Sequence, residues 1–97
     1  MTDTQTHSVP VKTAVANAMD FVLDLYADER IEDILVEEVE FSELANQWLI
    51  TIGFTITKVK DNSSSLILPE REIARKYKIV YIDAQSGEPI SMKIREI

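Results

Sequence analysis

The chain has 97 residues, a hydrophobic fraction of 45%, a charged fraction of 28% and a net charge of −7. That length supports one core, burying about 60–65% of the unfolded surface, and the composition is that of a folded domain rather than a disordered segment. With no cysteine, one histidine and two glycines, the chain excludes disulfide staples, thiolate catalysis, soft metal sites and glycine-rich phosphate loops.

Charge is unevenly spread. Residues 1–50 carry eleven acids against Lys12 and Arg30, and residues 51–97 carry six acids against eight bases. An acidic half repels phosphate backbones, so nucleic acid is not an expected partner. No apolar run reaches the roughly 18–20 residues that span a bilayer. The polar start Met1–Ser8, with Asp3 and no apolar run, reads as a disordered tail over residues 1–8 rather than a secretory leader. The chain is therefore expected in the cytoplasm, with residues 9–97 forming a single α+β domain.

From Val11 the apolar positions Val11, Ala14, Val15, Ala18, Val22, Leu25 and Tyr26 follow helical spacing along one stripe, widened by Met19, Phe21 and Leu23. A helix over residues 9–28 is predicted, with Ser8 as its cap and Pro10 in its first turn. Ile34 to Phe41 reads as the first strand. Its alternation slips, because Ile34 and Val36 share one face whereas Val39 and Phe41 share the other. A bulge near Glu37-Glu38 repairs the slip; alternatively Leu35, Val39 and Phe41 face the core.

Gln47 to Lys60 is the clearest strand, with Trp48, Ile50, Ile52, Phe54 and Ile56 on one face and Thr51, Gly53, Thr55 and Thr57 on the other. Residues 61–65 read as a loop. Leu66, Ile67 and Leu68 either fold back on the core or meet a partner, and residues 69–76 fit either a helical turn or an extended approach. Tyr77 to Ile82 is a third strand, Asp83 to Glu88 a turn with Gly87 suited to positive φ, and Pro89 opens a fourth strand. Short links favour the spatial order 1-2-3-4. The expected fold is thus one helix packed on a four-stranded antiparallel meander in two layers. Leu49, Thr51, Thr55, Thr57, Val80 and Ile82 are expected on the second face, through which a homodimer is one arrangement.

Catalytic groups are sparse. His7 lies in the tail, so no Ser–His pair has a rigid platform. Glu37, Glu38 and Glu40 are consecutive acids of a strand, better read as an exposed edge that resists aggregation than as an acid–base pair. The acids between Asp28 and Asp33 lack the ligand pattern and glycine of a calcium loop. Arg71, Arg75, Lys76 and Lys78 around Tyr77 read as a solvated strand edge rather than a nucleic-acid contact.

The run Tyr77-Lys78-Ile79-Val80-Tyr81-Ile82-Asp83-Ala84-Gln85-Ser86-Gly87-Glu88-Pro89-Ile90 is similar to the closing hairpin of PepSY-like domains. There a strand ends in an aspartate, a small residue and a glycine-containing turn. The order of helix, acidic strand and long alternating strand is similar too, so the resemblance covers residues 10–97 loosely and Tyr81 to Ile90 specifically. It implies a helix-on-sheet fold and an association with peptidase inhibition. The chain departs from the family in a longer loop at residues 61–72. A cystatin-like sheet is the neighbouring architecture, although the Q-x-V-x-G loop is absent, because Gln47 leads directly into Trp48-Leu49-Ile50.

The function expected is a non-enzymatic protein-interaction module with no cofactor, no metal, and neither a nucleic-acid nor a membrane partner. Glu37, Glu38, Glu40, Leu66, Ile67 and Leu68 form its candidate partner surface. One alternative is a PepSY-type peptidase inhibitor or folding chaperone. Another is a small-ligand binder using a helix–sheet cavity lined by Tyr26, Trp48 and Tyr81.

Overall fold

A computed structural model describes residues 8–59 and 71–96. One helix, α1 (Val11–Leu25), precedes four strands: β1 (Arg30–Ser42), β2 (Gln47–Val59), β3 (Arg71–Asp83) and β4 (Pro89–Ile94). The strands form one antiparallel sheet in the order β1-β2-β3-β4, with the helix on one face. This is the expected α+β architecture. The tail of residues 1–7, the loop at 61–65 and the Leu66–Leu68 cluster lie outside the described residues.

The helix docks through Ala14, Ala18 and Val22, spaced four apart and fully buried. Two alanines let its backbone approach the sheet. Beneath them lie Ile50, Ile52 and Phe54 of β2 with Val80 and Ile82 of β3, and the Tyr26 ring packs on Phe54 at 4.9 Å between centroids. Fifteen helical residues span about 22 Å, whereas thirteen strand residues span about 43 Å. The helix therefore covers about half the sheet's length.

The helix is shorter at both ends than the expected span of residues 9–28. Pro10, not Ser8, is the N-cap, with φ −63° and ψ 156° and no side-chain cap. The residue before it, Val9, is tied to the sheet by two hydrogen bonds. The Val9 N–H donates to the Ala84 carbonyl at 2.6 Å, and the Trp48 indole N–H donates to the Val9 carbonyl at 3.1 Å. Asn17 Nδ2 donates to the Gly87 carbonyl at 2.7 Å, anchoring the helix to the β3–β4 turn.

One expectation about the strands is corrected, and one open choice is decided. Val80 and Ile82 do not lie on the second face. The register sets Val80 opposite Ile50 and Ile82 opposite Trp48, so both enter the core and Tyr77, Ile79 and Tyr81 face away from the helix. Both faces of this strand are apolar, and alternation groups residues without saying which group is inside. Of the two forms open to residues 69–76, the described part takes the extended one, because from Arg71 onward it pairs with Thr57, Lys58 and Val59 at the end of the long β2.

β1 also begins earlier than its apolar run, at Arg30, and its register shifts twice, between Glu32 and Leu35 and between Val36 and Glu38. The second is the expected bulge, and it keeps Val36, Val39 and Phe41 together opposite Ile52, Ile50 and Trp48. At the first, Asp33 takes φ 53°, a conformation that aspartate tolerates better than most residues.

The β3–β4 turn is held by its own side chains. The Asp83 carboxylate accepts the Ser86 N–H at 2.7 Å, the Asp83 carbonyl accepts the Gly87 N–H at 2.8 Å, and Gly87 has φ 81°. The Ser86 N–H, followed by the Ser86 hydroxyl, holds the Asp83 pKa below the ordinary carboxylate range. The fold thus favours the charged form. Its contribution is present above the unfolded pKa of about 3.9 and is lost as pH falls through the lower folded value. Asp83→Ala is expected to lower the melting temperature at neutral pH, with the deficit relative to wild type shrinking through the acid range. A pH series of thermal melts in which that deficit stays constant would show that the charge is not what the turn uses.

Candidate functional site

The face away from the helix is built around small residues. Down the middle of it β2 presents Thr51, Gly53 and Thr55, and long side chains from β3, β1 and the residues after β4 close over them. Arg75 lies across the sheet toward β1. Its Nη2 meets Glu37 Oε2 at 2.9 Å, and its Nη1 donates to the Asp33 carbonyl at 2.7 Å and to Thr55 Oγ1 at 3.2 Å. Arg95 makes the parallel crossing, with Nη2 at 2.7 Å from Glu38 Oε1 and Nη1 donating to Thr51 Oγ1 at 3.4 Å. The hydrogen bond to Glu37 raises the Arg75 pKa further, so this guanidinium stays charged at any ordinary pH.

Gly53 makes the first crossing possible. A Cβ there would stand 2.5 Å from Glu37 Oε2 and 2.9 Å from Arg75 Nη2. A glycine inside a strand is a sequence signal for such close approach. It was the one available clue that an arginine bridge passes overhead, and nothing in the local pattern named Arg75 or Arg95 as its members.

The expected partner residues therefore divide. Glu37 and Glu38 are bridged to arginines and line the open face. Glu40 sits opposite Leu49, exposed, and makes no ion pair among the described residues. Leu66, Ile67 and Leu68 are outside the described residues. The basic set divides too, because strand alternation sends Arg75 and Tyr77 to the open face and Lys76 and Lys78 to the other. Nor do Tyr26, Trp48 and Tyr81 share a cavity: Tyr81 pairs with Leu49 on the open face, while Trp48 packs on Phe41 at 4.9 Å.

A surface that local alternation does not reveal lies on the helix side of β1. Val36, Val39 and Phe41 point the same way as the core residues of β2, yet they are 37%, 38% and 39% exposed. The reason is placement. The helix sits over β2, β3 and β4, and β1 is the outer strand. Its other edge has no neighbouring strand among the described residues. The strand carries five acids, of which Glu32 meets Arg30 at 3.7 Å, Glu37 and Glu38 are held by Arg75 and Arg95, and Asp33 and Glu40 form no ion pair among the described residues.

Elsewhere, an open cleft of about 270 Å³ between the helix and the β3–β4 turn is lined by Asp20, Phe21, Asp24 and Glu88 among others. Among the described residues no group of three or more His, Cys, Asp or Glu is placed to hold a metal ion, and no helix is long and apolar enough to cross a membrane. Comparison with protein-family models, with curated proteins and with solved structures finds no match for the chain.

Proposed function

We propose that the protein is a non-enzymatic interaction module that takes a partner chain along β1. The observation that supports this reading is the exposure of Val36, Val39 and Phe41 on a long outer strand that the helix leaves uncovered. Apolar side chains in a row beside unpaired backbone groups are what strand addition uses for affinity and specificity. The acids of β1 set the chemistry of the partner: an extended segment, apolar on one face and basic on the other. Its apolar side chains would lie beside Val36, Val39 and Phe41, and its basic ones beside Glu40 and, in competition with Arg30, Glu32.

A photo-crosslinking residue placed at Val39 tests this directly, with Ala16 on the exposed side of the helix as control. The expected result is one defined adduct from Val39 only, identified by mass spectrometry and lost when Phe41→Glu is added. An adduct formed only with another copy of the chain would convert the reading to a homodimer. Absence of any Val39-specific adduct, combined with inhibition of a purified peptidase, would favour the PepSY-type inhibitor instead.

A further inference from the structure

The opposite margin of the sheet carries a second docking lane, of opposite charge. β4 is short. It pairs only with Lys78 to Ile82 of β3, while β3 itself starts at Arg71. The first half of β3 therefore has β2 on one side and, among the described residues, no strand on the other. Its backbone phase is fixed by one hydrogen bond: the Arg95 N–H donates to the Tyr77 carbonyl at 2.9 Å, so the polar groups of Tyr77 face the β4 side. Backbone direction alternates along a strand, so the N–H and C=O of Ile73 and Arg75 point the same way, into the space beyond the end of β4.

Beside Arg75 that space opens as a cleft of about 390 Å³, lined by the cations Arg75, Lys76, Lys78 and Arg95 together with Tyr77, Ile94 and the single carboxylate of Glu96, and Ile73 lies on the same strand just beyond it. Arg75 and Arg95 are already committed to Glu37 and Glu38. Lys76 and Lys78 form no ion pair among the described residues. A molecule of net charge −7 thus gathers four positive side chains around strand hydrogen-bonding groups that meet no neighbouring strand among the described residues.

We propose that this lane receives an acidic extended segment of another protein, added as a strand antiparallel to β3 in the line that β4 vacates. Backbone pairing to Ile73 and Arg75 would supply register, and Lys76 and Lys78 would meet its carboxylates. The lane lies at the other margin from Val36, Val39 and Phe41, and does not depend on the β1 reading. The chain's own acidic surface makes a nucleic acid the less suitable occupant.

The test is fluorescence anisotropy with a labelled peptide alternating glutamate and valine, against two controls: a lysine–valine peptide of equal length, and the glutamate–valine peptide N-methylated at alternate amides. Binding is expected for the first peptide alone, weakening with added salt. Ile73→Pro removes a lane-facing N–H that the β2 ladder does not use, a place where a strand tolerates proline. It is expected to weaken binding about tenfold or more. The double change Lys76→Glu with Lys78→Glu should do the same without touching the backbone, which keeps the test decisive if the proline variant folds poorly. Equal binding of the lysine or N-methylated peptide, or binding indifferent to the lysine changes, overturns the proposal. So does a preference for single-stranded DNA over the peptide, or self-association in sedimentation velocity that the lysine changes abolish.

Discussion

Phe54→Ala is expected to cost about 3–5 kcal/mol of folding free energy, the largest loss of any single truncation in the core. Phe54 is the largest of the fully buried side chains. It lies under the end of the helix, against Tyr26, midway along β2. Cutting it to alanine removes the apolar transfer energy and leaves a cavity where the Tyr26 and Phe54 rings meet. Domains of this size hold about 5–15 kcal/mol in all, so the variant would sit close to unfolding. Urea denaturation followed by circular dichroism measures it, with Phe54→Leu as a milder control expected to lose under about 1.5 kcal/mol. If the alanine variant lost no more than the leucine one, Phe54 would not be enclosed, and the helix would not rest where it is placed.

Ala18→Leu tests the same interface from the other side. Ala18 is fully buried at the middle of the helix's contact with the sheet, so a larger side chain there has to displace its neighbours or lift the helix. Overpacking of this kind costs about 1–3 kcal/mol. Ala16→Leu, on the exposed side of the same helix, is expected to be nearly neutral because alanine and leucine are both strong helix formers. The difference between the two variants therefore isolates packing from propensity. Trp48 fluorescence supplies a second readout. Its indole N–H bonds to Val9, just ahead of the helix, so a lifted helix should red-shift emission in Ala18→Leu and not in Ala16→Leu. Equal stability of the two variants would mean that Ala18 does not face the sheet.

Much of this architecture is legible in the chain because it depends on local periodicity. Ala14, Ala18 and Val22 recur at helical spacing, and Ile50, Ile52, Phe54 and Ile56 alternate without interruption. The slip around Glu37-Glu38 signals its own bulge. Asp83 and Gly87 announce a turn, since a carboxylate that can accept backbone N–H groups and a residue free to adopt positive φ are what such a turn requires. The candidate site is less legible. Glu37 and Glu38 read as free acids, because their partners Arg75 and Arg95 stand 38 and 57 positions along the chain. The exposure of Val36, Val39 and Phe41 is invisible for a different reason: their spacing is that of buried residues, and only the short reach of the helix leaves them outside.

Sequence alone determined the helix stripe, the oily side of β2, the order of the strands and the closing turn, since each is written in residues a few positions apart. Tertiary structure decided which side of β3 is inside, where the helix stops covering the sheet, and which charges face one another. Those outcomes depend on register between distant strands and on the lengths of whole elements, quantities that no short window of residues contains. The two margins of opposite charge, an acidic β1 and a basic cleft beside β3, exist only once the meander has set them apart.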